Sequence, residues 1–159
     1  MRIFKPNNEF NIVGFDFFGT NREMTLRHPE DKECLDEHEE NWATAKEIRA
    51  NCEHWGFTNI DLIEGNVVNT SKLYVDQHLG MRISLLYIDI DNYEGALACL
   101  KHFYPLVAYG GVVAFDEYAL RGYGESDAVD EYFQDSPVKL RSIAWSNTPT
   151  AYLIKGFAK

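Results

Sequence analysis

Between Ile83 and Tyr118 the chain reads ISLLYIDIDNYEGALACLKHFYPLVAYGGVVAFDEY, and no other stretch restricts the fold so tightly. Ser84 to Ile88 is a short apolar run of the kind that forms a buried parallel strand, and Gly111 to Phe115 is a second. From Glu94 to Tyr104, apolar residues at Leu97, Leu100 and Phe103 or Tyr104 recur at helical spacing, and Pro105 follows as a stop. Strand, helix and strand of this length make a right-handed crossover in a parallel sheet, so the fold class is α/β. Open sheets of this kind bind ligands beyond the carboxyl ends of their strands. Asp89 and Asp91 lie at the end of the first strand, Asp116 and Glu117 at the end of the second.

Alternation along a strand puts residues i and i+2 on one side, so Asp89 and Asp91 project together if the strand persists that far, with Ile90 turned into the core. Four carboxylates this close repel one another and need a cation, a shared proton or open water to coexist. Oxygen-only ligands without neighbouring His or Cys favour magnesium, calcium or manganese over zinc. The competing reading makes these acids strand-end and helix-start residues, with Asn92 or Asp91 as a cap and Glu94 in the first turn.

The pattern IDIDNYEGALACLKHFYPLVAYGGVVAFDEY resembles the macrocin O-methyltransferase (TylF-like) branch of the S-adenosylmethionine-dependent methyltransferases, whose corresponding stretch reads roughly hDxDxYEsTxxxLxxhYPxhxxGGhhhhDDY. Ile12 to Gly19 (IVGFDFFG) is similar to the family's GFDSFEG segment, and Ala128 to Phe133 to its AVDEF helix. The likeness runs from about Asn11 to Phe133. It implies a Rossmann-like methyltransferase sheet, S-adenosylmethionine as cofactor, and transfer of a methyl group to a hydroxyl of a small metabolite such as a sugar moiety. It also implies magnesium held by Asp89, Asp116 and Glu117, with Asp91 placed to take the acceptor's proton. Glu117 departs from the family's usual Asp; it keeps the charge and reaches one methylene further.

Glu9 to Phe18 reads as a strand ending at Asp16, and an acid at that place in nucleotide-binding α/β folds commonly holds ribose hydroxyls. Asp16 is the first cofactor candidate, against a plain role as a turn opener before Gly19. Asn59 to Val68 reads as the next strand, with Asn66 where such enzymes often carry a polar group beside the adenine. Nothing before Glu9 resembles the glycine-rich turn of G-x-G-x-x-G, and Met1 to Lys5 looks like the end of the helix that normally follows it. The first strand is therefore missing from an otherwise mostly parallel sheet. The strands ending at Asp16 and Asp89 must become neighbours or leave a slot, and open strand edges invite association, so a homo-oligomer is expected. A single methyltransferase-like domain over residues 1–159, either a fragment truncated at its amino end or a remodelled relative, is the organisation this implies, and a catalytically inactive domain or fragment serving assembly or binding is the alternative function.

Elsewhere, Thr20 to Glu37 reads as a polar loop beside the site that could serve as a lid, with His28 a minor acceptor-contact candidate. His38 to Trp55 reads as a helix with Trp42, Ala45, Ile48 and Cys52 on one face, and Trp42 and Trp55 as core or helix-face residues. His54 and His102 are expected on helix surfaces or at an interface. Val138 to Trp145 and Ala151 to Phe157 read as a terminal antiparallel hairpin at the sheet edge. Lys and Arg number 15 against 25 Asp and Glu, a net charge of −10, which disfavours nucleic acid or an anionic membrane surface as partner. Three cysteines without metal spacing suggest reduced, mostly buried thiols in a cytoplasmic setting.

Overall fold

The computed structural model describes residues 11–19, 28, 29, 31 and 43–157. Trp42, Cys34, His38, Met1 to Lys5 and most of Thr20 to Glu37 therefore lie outside the described residues. β1 (Ile12–Asp16) and β2 (Ile60–Glu64) form a parallel pair with Asp16 opposite Glu64. Helix α1 (Ala45–His54) precedes β2, and α2 (Val67–Gln77) follows it. β3 (Ile83–Ile88) and β4 (Val107–Phe115) form the expected parallel pair, joined by α3 (Tyr93–Phe103) and a 3-10 turn at Tyr104–Leu106. α4 (Glu125–Phe133) leads to β5 (Ala151–Ile154), which is antiparallel to β4.

Local chemistry explains where these elements begin. Thr44 and Glu47 form a reciprocal capping box that starts α1 at Ala45, so the helix is shorter than the span expected from His38. Asn66 caps α2 by accepting from the Val68 N–H at 2.9 Å, which places Val67 and Val68 in a helix rather than in the expected strand. Asn92 caps α3 by accepting from the Gly95 N–H at 2.8 Å. Gly95 is required by close approach: a Cβ there would lie 2.2 Å from the Ile90 Cγ2.

The terminal hairpin did not form as expected. β5 pairs along its length with β4, and the 138–145 segment meets it only through the bridge between Arg141 and Tyr152. Pro137 and Pro149 lack the N–H that a ladder needs, whereas β4 offers a continuous apolar edge. Of the two places expected for Trp55, core or helix face, the core is excluded: it stands 73% exposed at the end of α1.

The core lies between the β3–β4–β5 sheet and helices α3 and α4, with Ile88, Leu100, Val113, Phe115, Val129 and Leu153 almost wholly buried. Cys99 is buried among them, while Cys52 is partly exposed. Helix α1 contributes no buried residue. Among the described residues, β1–β2 and β3–β4–β5 are separate sheets, so the strands ending at Asp16 and Asp89 are not paired neighbours across the break between them. Phe15 of β1 reaches across it, its ring 5.0 Å from that of Phe103 and 5.3 Å from that of Tyr74. No described helix is long and apolar enough to cross a membrane.

Candidate active site

The register of β3 against β4 builds the site. Ile88 faces Phe115, so the next residues, Asp89 and Asp116, leave the sheet side by side. The Asp116 N–H donates to the Ile88 carbonyl at 3.0 Å and the Asp116 carbonyl accepts from the Thr150 N–H at 3.2 Å, which fixes this strand tip from both sides. One carboxylate oxygen from each of Asp89, Asp116 and Glu117 lies within 4.8 Å of the others. Asp89 is exposed, whereas Asp116 and Glu117 are each 8% exposed, so the cluster has an open mouth and a buried floor. The Tyr87 hydroxyl donates to Asp116.

Strand alternation does not extend to Asp91. β3 ends at Ile88, and Asp91 sits at φ 63° in the left-handed region, turned there by the tight connection into α3. Asp91 nevertheless stays close enough to raise the proton affinity of both Glu117 and Glu125. Ile90 packs against the core, as expected, and Asn92 rather than Asp91 is the cap.

Burial, then the adjoining Asp116 and the nearby Asp91 and Glu125, push the Glu117 carboxyl up to about 9. Burial is also the main cause holding Glu125 at about 8, against an opposing hydrogen bond from the Glu117 N–H. The same burial, with the adjacent Asp116, raises the Tyr87 phenol well above its ordinary value. Among the described residues, neither Asp116 nor Glu117 has a Lys or Arg partner, and the buried Glu117 Oε2 accepts no hydrogen bond. An all-oxygen donor set with an orphaned buried oxygen fits a hard divalent cation. The alternative, a cluster of helix caps, explains Asn92 but not three converging carboxylates.

The two cofactor candidates sit on the other sheet. Asp16 and Asn66 mark the carboxyl ends of the neighbouring strands β1 and β2, whose parallel pairing is extended by the Gly65 N–H donating to the Asp16 carbonyl at 2.9 Å. Asp16 Oδ1 also receives the Phe18 N–H at 3.4 Å, the turn-opening role weighed from the sequence. Asn66 spends its side-chain oxygen on the α2 cap.

Sequence reasoning passed over two groups at this end of the sheet, Glu125 and Asp31. Glu125 is fully buried, but an acid in a first helical turn normally serves the helix dipole and gives no other signal. Asp31 is fully buried and accepts from the Tyr93 N–H at 3.1 Å and the Gly124 N–H at 3.0 Å, tying the starts of α3 and α4 together. His28 pairs with Asp127 at 2.9 Å and stacks on Tyr93, so its observed contacts are with the fold.

Comparison with known proteins agrees with this architecture. The sequence profile of the macrocin-O-methyltransferase (TylF) family matches residues 9–148. An apo structure of CalS11, a TDP-rhamnose 3'-O-methyltransferase in calicheamicin biosynthesis, is 29% identical with a TM-score of 0.71, covering 97% of this chain and 63% of that one. A second crystal structure of CalS11, calicheamicin methyltransferase, is 26% identical with a TM-score of 0.72, covering 97% and 64%. The O-methyltransferase NovP shares the fold at a TM-score of 0.73 and 21% identity, covering 91% and 60%. This chain thus spans less than two thirds of the length of these solved relatives. A comparison with curated proteins returned no match. With its paired acidic strand tips and a profile match over nearly all its length, the chain belongs to the macrocin O-methyltransferase family.

Proposed function

We propose that the chain forms the methyl-transfer site of an O-methyltransferase that takes S-adenosylmethionine as donor and a hydroxyl of a sugar or similar small metabolite as acceptor. The observation that carries this reading is the convergence of Asp89, Asp116 and Glu117 at adjoining strand tips, in a chain whose family and solved neighbours are O-methyltransferases. Methyl transfer from a sulfonium to oxygen is an in-line displacement, so the protein's work is to orient the two reactants and remove the acceptor's proton. Asp89, Asp116 and Glu117 would hold magnesium or another hard divalent cation, which would supply positive charge that lowers the acceptor hydroxyl's pKa. Asp91, beside that cluster, would take the proton. Asp16 and Asn66 would face the donor's ribose and adenine from the ends of β1 and β2.

The test is calorimetry of the chain with S-adenosylmethionine, with and without magnesium, followed by methyl transfer to TDP-rhamnose. Asp91→Asn keeps donor and metal binding and slows transfer by roughly 10²- to 10⁴-fold, the usual worth of a general base. Failure of the chain to bind the donor under either condition overturns the reading.

The separation of the two sheets favours a second reading, a domain of the same ancestry that associates through the unpaired edges of β1 and β3 without catalysis. Methyl transfer by this chain alone removes it.

A further inference from the structure

We propose that Glu125 is a positioning residue of the cation site: its carboxylate fixes the Glu117 main chain and supplies negative charge that the bound cation requires. The proposal rests on the cation reading of Asp89, Asp116 and Glu117 given above. Glu125 is 0% exposed at the start of α4, which the 116–124 connection joins to the β4 tip. Its Oε1 accepts from the Glu117 N–H at 3.2 Å, so it sets the backbone from which that side chain projects. Its Oε2 is buried and accepts no hydrogen bond.

Geometry alone did not require an acid here. The oxygen of a glutamine at 125 would accept the Glu117 N–H equally well and would bury no charge. A carboxylate is a poor choice for a site without water unless a positive charge faces it. Among the described residues no Lys, Arg or His pairs with Glu125, and the charges that act on it are those of Asp91, Asp89 and Asp116, all acidic. Glu117 Oε2, the neighbouring buried oxygen, is orphaned in the same way. Glu117 Oε2 and Glu125 Oε2, two buried, unsatisfied oxygens on residues joined by a hydrogen bond, would be balanced together by one divalent cation held at Asp89, Asp116 and Glu117. Groups behind the first ligands usually set metal affinity by 10- to 100-fold.

The experiment measures Mn2+ affinity by electron paramagnetic resonance on the whole chain, for wild type, Glu125→Gln, Glu125→Thr and Glu125→Asp, with circular dichroism and metal-free melting on each. Glu125→Gln keeps an acceptor for the Glu117 N–H and removes only the charge. Its affinity for Mn2+ falls by roughly 10- to 100-fold while its metal-free melting temperature stays level or rises. Glu125→Asp, which keeps the charge, recovers part of the loss. Mn2+ affinity in Glu125→Gln within about twofold of wild type overturns the proposal and leaves the three-carboxylate site standing. If neither charge-free variant folds without metal, the carboxylate is an element of the fold and the proposal falls. Wild type that binds no Mn2+ removes the cation reading and this proposal together.

Discussion

Glu117 and Glu125 show how a single residue's burial becomes a property of the whole chain. Each holds its proton more tightly when folded than the ordinary carboxyl value of 4.5, Glu117 up to about 9 and Glu125 up to about 8. Between the ordinary value and these raised ones, the folded chain keeps protons that the unfolded chain has released, so stability falls as pH rises. His102, held below its ordinary 6.5 by burial, acts in the opposite sense and costs stability as pH falls through that value. Substitution separates the two. In chelator, the melting temperature of wild type minus that of Glu117→Gln becomes more negative from about pH 5 to about pH 8, and magnesium reduces that trend by compensating the ionised pair. A difference independent of pH would show that Glu117 is not protonated in the metal-free fold. The sequence offered a shared proton as only one of three ways for these acids to coexist, because the pattern D-E-Y after an apolar run reports that two acids are adjacent and not that both are buried.

The turn from β3 into α3 concentrates the local constraints of the site. Asp91 at φ 63°, the Asn92 cap and the contact of Gly95 with Ile90 all fall within six residues. Gly95→Ala places a methyl 2.2 Å from the Ile90 Cγ2 and 3.0 Å from the capping oxygen of Asn92, so the turn must open. Overpacking of this kind costs roughly 1–3 kcal/mol, and chemical denaturation should show a loss in that range together with weaker metal binding. A loss below about 0.5 kcal/mol, the level of a neutral surface change, would mean the turn yields freely and does not hold Asp91. The strand–helix–strand unit was readable because three signals agreed: two apolar runs, helical spacing between them and Pro105 beyond. Helix α2 was not, because Val67 and Val68 extend an apolar strand pattern and only the Asn66 side chain decides for a helix. The start of α1 was written in the T-x-x-E spacing of Thr44 and Glu47, a stronger signal than the apolar stripe that suggested an earlier start. For the 138–145 segment, alternation described a strand, but pairing depends on which edge is available, and β5 pairs with β4.

At the scale of the molecule, burial is unevenly divided. Nearly the whole core belongs to β3, β4, β5, α3 and α4, whereas β1, β2 and α1 contribute no buried hydrophobic residue among those described. Because apolar burial is the main stabilising term, the β1–β2 unit holds to the rest chiefly through Phe15 against Tyr74 and Phe103, and through α2. It therefore opens at lower cost than the central sheet. Amide hydrogen exchange should show β4 most protected, with β1 and β2 exchanging through a smaller, separate opening. The proposed function adds a consequence, since Asp16 and Asn66 lie on the loose unit and the acidic cluster on the firm one. A donor that touches both must bind the closed arrangement more tightly than the open one. S-adenosylmethionine with magnesium at about 100 times its dissociation constant then adds up to roughly 2.7 kcal/mol of protection to β1 and β2, and less where global unfolding already limits exchange. Equal protection of both sheets without ligand would refute the division. Protection that rises in β4 but not in β1 would place the donor away from Asp16.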